Sequence, residues 1–93
     1  MGEERVLVVD DERDITALVA YHLAKAGYRV ATAGTGPAAL DAIAKEPPDL
    51  VVLDLMLPGR SGYEVLDELR RREETRDIGV ILLTARKDEA DRI

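Results

Sequence analysis

The sequence predicts an α/β domain built on a doubly wound parallel sheet, and three observations carry that expectation. Two short apolar runs, Val6-Leu7-Val8-Val9 and Leu50-Val51-Val52-Leu53, contain no polar interruption. Such runs suit strands buried on both faces of a parallel sheet, where helices cover each side. Around them lie segments of about 10–15 residues with apolar positions at helical spacing, the alternation that βαβ units require. Both runs also end in acid, Asp10-Asp11 after the first and Asp54 after the second. The carboxyl ends of the strands form the functional edge of such a sheet. Neighbouring strands would therefore gather three carboxylates at one place. That crowding is unfavourable unless a cation joins it, and oxygen-only ligands suit Mg²⁺. The residues alone point to a metal-dependent phosphoryl site at Asp10, Asp11 and Asp54.

The first strand is expected over residues 5–9. A helix should follow from residue 11 or 12 to residue 26, with Ile15, Leu18, Val19 and Leu23 on its inner face. Gly27 suits the left-handed residue just past a helix end. Residues 28–33 alternate in character and read as a second strand nearer a sheet edge. Gly34-Thr35-Gly36 is a turn, and Pro37 fits the first turn of a second helix that carries Leu40, Ile43 and Ala44 inward. Pro47-Pro48 stops that helix. After the third strand, residues 50–53, a loop runs to Gly62. Ser61 in that loop fits the N-cap of a third helix over residues 63–73, which buries Val65, Leu66 and Leu69. A fourth strand over residues 79–83 ends at Thr84, and residues 88–93 open a fourth helix. Right-handed crossovers leave few arrangements of these strands.

Composition narrows the function classes. With 93 residues the chain is expected to form one domain, residues 1–93. A net charge of −6 leaves no basic face to neutralise phosphates, so no nucleic acid is expected to bind this segment. The absence of cysteine removes disulfide and thiolate-zinc chemistry. No signal-peptide core opens the chain and no apolar run would span a bilayer, so no membrane contact and a cytoplasmic location are expected. Arg70-Arg71-Arg72 is read as solvated charge on the outer face of the third helix. His22, the only histidine, has no acidic or basic partner spaced to activate it and reads as structural or surface.

Three segments in register resemble the receiver domain of two-component response regulators. They are Val8-Val9-Asp10-Asp11-Glu12, then Asp49 through Gly62, then Ile81-Leu82-Leu83-Thr84-Ala85-Arg86. The resemblance covers the whole chain, and residues 55–62 look most like the winged-helix transcriptional class. It implies a flavodoxin-like sheet, with the truncated strand order 2-1-3-4. It implies that Asp54 accepts a phosphoryl group from a sensor histidine kinase, without the chain being an enzyme in any other sense. Asp10, Asp11, Asp54 and the backbone carbonyl of Met56 would hold Mg²⁺, and Thr84 would contact a phosphoryl oxygen and act as a switch. A C-terminal output domain outside this segment would be the DNA-binding part and would regulate transcription. The family's fifth strand, with its terminal lysine, and its fifth helix have no counterpart before Ile93; Lys87 does not match that lysine. The resemblance thus implies a receiver incomplete at its C-terminus, labelled weakly if at all by a phosphodonor. The uncovered fourth strand would self-associate.

Two other readings remain open at this level. One is a receiver-like interaction module that is never phosphorylated. The other is half of a dinucleotide-binding domain, because Gly34-Thr35-Gly36 follows a strand, opens a helix and precedes Asp54 by eighteen positions from Gly36.

Overall fold

A computed structural model describes residues 4–58 and 61–83. The elements are β1 (Arg5–Val9), α1 (Arg13–Lys25), β2 (Arg29–Ala33), α2 (Gly36–Lys45), β3 (Leu50–Asp54), α3 (Gly62–Arg71) and β4 (Gly79–Leu83). All four strands are parallel, in the order β2-β1-β3-β4. The register aligns Val9 with Ala33 on one side and with Leu53 on the other. The two acid-terminated strands are thus neighbours at the centre of the sheet.

Period-two alternation sorts the strand residues onto two faces. Leu7, Val9, Val51 and Leu53 form one cluster with Ala39 and Ile43 of α2 and Val65 and Leu69 of α3. Right-handed crossovers place α1 on the opposite face, where it packs over β1 and β2. The remainder of that face lies over β3 and β4. Ile81 there is 49 % exposed. Among the described residues β4 is an edge strand.

This layering corrects the expected inner face of α1. Ile15 is 40 % and Leu18 58 % exposed, Val19 and Leu23 are half-buried, and the buried residue is Thr16. Periodicity identified the apolar stripe, but the helix sits over β2 and β1, so one side of the stripe finds no neighbour among the described residues. In α2 the buried pair is Ala39 and Ile43, four residues apart on one line, while Ala44 is exposed. Leu40 and Leu66 are half-buried beside the same cluster.

The helix ends follow local chemistry. Thr35 Oγ1 accepts the Ala38 N–H at 3.1 Å and Pro37 sits in the first turn of α2. Ser61 Oγ caps α3 by accepting the Glu64 N–H at 3.3 Å. Gly27, at φ 105°, turns the chain after α1 in the left-handed region that a side chain rarely adopts. Arg72 is extended, so α3 stops at Arg71 rather than Glu73.

The arginine run is only partly the solvated face expected of it. Arg71 pairs with Asp67 and Arg72 with Glu68 along the helix. Arg70 instead donates one guanidinium nitrogen to the carbonyls of Arg76, at 2.6 Å, and Ile78, at 2.9 Å. It fastens the turn that leads into β4. Thr75, buried in that turn, donates its hydroxyl to the Leu69 carbonyl at 2.7 Å. No helix among the described residues is long and apolar enough to cross a membrane.

Candidate metal and phosphoryl site

The site is built where β1 and β3 end side by side. Oxygen atoms of Asp10, Asp11 and Asp54, one from each, all lie within 4.8 Å of one another. The three residues differ in burial. Asp10 is 8 % exposed, Asp54 is intermediate and Asp11 faces solvent.

Short-range bonds fix the aim of two of them. Asp10 Oδ1 accepts the N–H of Glu12 at 2.9 Å, and the Asp10 N–H donates to the Ala33 carbonyl at 3.1 Å. Asp54 Oδ1 accepts the N–H of Met56 at 3.1 Å. Both are Asx-type turns in which a strand-terminal carboxylate captures the backbone two residues on. The loop after β3 is drawn back by the Gly62 N–H, which donates to the Leu55 carbonyl at 3.0 Å. A Cβ at Gly62 would stand 2.5 Å from the Asp54 carbonyl oxygen, so only glycine permits this close approach.

Burial raises the Asp10 carboxyl above its ordinary value, and the neighbouring charges of Asp54, Asp11 and Glu12 push the same way. The Glu12 N–H opposes the shift without cancelling it. Negative charge is therefore concentrated at this edge, and no ion pair among the described residues offsets it. The donor set fits a hard divalent cation, since all three groups are carboxylates and no nitrogen or sulfur competes. Octahedral oxygens about 2.1 Å from Mg²⁺ lie about 3–4.2 Å apart, so at most a small contraction of the cluster is needed. Beside it opens a cavity of about 500 Å³ lined by Asp10, Asp11, Arg13, Thr16, Ala17, Thr32, Ala33 and Gly34.

The structure brings together the three aspartates singled out in the sequence. Met56 lies in the same loop, two residues past Asp54, and is exposed. Thr84, Lys87 and the fourth helix lie outside the described residues. Sequence reasoning missed Thr16, whose hydroxyl stands 3.1 Å from the Asp10 carbonyl and 3.0 Å from that of Glu12. A lone threonine on a predicted helix carries no signal of such a tie. The dinucleotide arrangement is not assembled. β1 separates Asp54 on β3 from the Gly34–Gly36 turn after β2, whereas that arrangement needs the acid on the strand next to the glycine turn. Thr35 in that turn caps its own helix.

Comparison with known proteins agrees with this geometry. The model of the response regulator receiver domain matches residues 6–93. The N-terminal domain of a response regulator receiver protein from Methanoculleus marisnigri JR1 is 38 % identical, with a TM-score of 0.86 over 98 % of this chain and 76 % of its own. A putative response regulator from Chloroflexus aurantiacus J-10-fl is 32 % identical, with a TM-score of 0.89, covering 97 % of this chain and 74 % of its own. The chemotaxis response regulator CheY4 of Vibrio cholerae is 28 % identical, with a TM-score of 0.88, covering 98 % and 76 %. The chain thus spans about three quarters of each of these structures. Order of strands, paired acids just after β1, the single acid ending β3 and these matches lead to one assignment: the chain belongs to the response regulator receiver domain family.

Proposed function

We propose that this receiver takes a phosphoryl group from a sensor histidine kinase onto Asp54, with Mg²⁺ held by Asp10, Asp11, Asp54 and the Met56 backbone carbonyl. The observation that carries the reading is the convergence of three carboxylates within 4.8 Å at the carboxyl ends of adjacent central strands. Mg²⁺, when bound, offsets the repulsion between an anionic nucleophile and an anionic phosphoryl group. The chain's own residues supply the rest. The Met56 N–H orients the Asp54 carboxylate. An Asp54 oxygen forms the new P–O bond as the P–N bond of the phosphohistidine breaks, and the electron pair leaves with the imidazole. Asp10 and Asp11, which no ion pair among the described residues neutralises, are held as ligands. Thr84 contacts a phosphoryl oxygen and carries the change onward. The module signals rather than turning over a substrate, in the cytoplasm, upstream of a transcriptional output domain. Exposed Ile81 on edge strand β4 supports self-association through that strand.

The test is incubation with acetyl phosphate and Mg²⁺. Whatever its stoichiometry, the label should be acid-stable and hydroxylamine-sensitive, and Asp54→Asn should abolish it. A label that persists in Asp54→Asn overturns the assignment of the acceptor. Absence of both label and Mg²⁺ binding overturns the reading as a whole and leaves an unphosphorylated interaction module.

A further inference from the structure

We infer that Thr16 is a positioning residue for the cation site: its hydroxyl latches the turn that presents Asp10 and Asp11. The inference rests on the reading of that site given above. Thr16 lies in the first turn of α1 and is 9 % exposed, the one buried residue of an otherwise largely exposed helix. Its Oγ1 stands 3.1 Å from the Asp10 carbonyl and 3.0 Å from the Glu12 carbonyl. The two acceptors flank Asp11 in sequence. The Glu12 carbonyl also accepts the Thr16 N–H at 3.0 Å, as an α-helical bond. The Asp10 carbonyl lies before the helix begins, and the hydroxyl supplies its hydrogen bond.

A single buried side chain thus ties the last residue before the turn to the first turn of the helix. Residues 10–12, whose two end carbonyls the hydroxyl meets, carry two of the proposed ligands. The Asp10 carboxylate is already held by the Glu12 N–H. Fixing the Asp10 carbonyl sets the peptide plane before exposed Asp11, and the Glu12 N–H bond to Asp10 Oδ1 sets the plane after it. The Asp11 side chain faces solvent, and no side-chain hydrogen bond or ion pair among the described residues orients it. Groups that orient metal ligands from behind cost 10–100-fold in affinity when removed. Because Thr16 acts through the backbone, the low end applies.

The experiment compares Mg²⁺ affinity of wild type, Thr16→Val and Thr16→Ser by calorimetric titration, at a temperature where circular dichroism shows each variant folded. Valine keeps the shape and removes the hydroxyl. Serine keeps the hydroxyl. The expected result is about tenfold weaker binding in Thr16→Val, and affinity within about twofold of wild type in Thr16→Ser, as retention of the hydroxyl requires. A residue that only supported the fold would lower thermal stability in both variants without separating their affinities. Equal affinities for folded Thr16→Val and wild type overturn the role of Thr16 alone. Wild type that takes up no Mg²⁺ overturns the site and this inference together. If Thr16→Val does not fold, Thr16→Ala gives the same readout without placing a methyl group against the carbonyls, and wild-type affinity in that variant overturns the proposal.

Discussion

Replacing Gly62 by alanine tests how the β3–α3 loop holds Asp54. Gly62 opens α3 with φ in the ordinary range, since Gly27 alone has positive φ among the described residues. Conformation therefore permits alanine, and helix propensity alone would favour it by up to about 1 kcal/mol. Space does not permit it. The new Cβ would stand 2.5 Å from the Asp54 carbonyl oxygen, 2.8 Å from Leu55 Cα and 3.1 Å from the Asp54 carbonyl carbon. These are backbone atoms, so no side chain can swing away, and either the helix start or the end of β3 must move. Overpacking of this kind costs about 1–3 kcal/mol, which outweighs the propensity gain. A net loss of up to about 2 kcal/mol would lower the melting temperature by up to about 16 °C in a domain of this size. Gly34→Ala is the control, because its nearest obstacle is the Asp10 carbonyl oxygen at 4.0 Å. Thermal unfolding followed by circular dichroism reads the stability, and Mg²⁺ titration reads the displacement of Asp54. A Gly62→Ala protein as stable as Gly34→Ala, with wild-type Mg²⁺ affinity, would refute the argument that close approach at Gly62 positions the acceptor.

Asp10→Asn should stabilise the metal-free protein at neutral pH. The folded-state pKa of Asp10 lies above the ordinary 3.8, so its ionisation costs the folded state stability. That cost is absent below the ordinary value, grows as pH rises through the raised one, and stays above it. Melting curves across pH should therefore show the variant's advantage appear as pH rises, and Mg²⁺ should narrow or reverse it by stabilising wild type alone; an advantage independent of pH would contradict the cause assigned. Ile81→Lys should convert associated protein to monomer in light scattering across a dilution series, whereas a wild type that is monomeric at high micromolar concentration would show that β4 does not pair. Arg70→Met should cost about 1–2 kcal/mol in urea unfolding, because it removes charge-assisted bonds to the carbonyls of Arg76 and Ile78. Arg71→Met should change stability by less than about 0.5 kcal/mol, since its ion pair with Asp67 is exposed.

The sheet was legible because three of its strands centre on uninterrupted apolar runs and the fourth, β2, alternates as an edge strand does, and the site was legible because acids terminate two of those runs. Expected boundaries for β1 and β4 coincide with the observed ones, and β3 extends one residue further, to Asp54. Gly27 and Ser61 also act as their chemistry suggests, one through its positive φ and the other through its hydroxyl. What stayed hidden depends on tertiary placement. Periodicity marks Ile15 and Leu18 as apolar but not that α1 leans toward β2, which leaves both exposed. Ala39 and Ala44 are chemically identical, and only the packing of α2 on β1 and β2 decides which is buried. Arg70 and Arg71 are equally charged in sequence. The turn over residues 72–78 brings two carbonyls within reach of Arg70 and none to Arg71. Thr16 finds its role only because the chain folds back over the Asp10 carbonyl.

Whether the three aspartates act together on one cation decides the function proposed for this site. Mg²⁺ titration of isotopically labelled protein, followed by residue-resolved NMR, asks this without requiring phosphotransfer. Saturable shifts centred on Asp10, Asp11, Asp54 and Met56 are expected, largely removed by Asp11→Asn while the fold persists. Shifts absent from these residues, or undiminished in Asp11→Asn, would contradict that function.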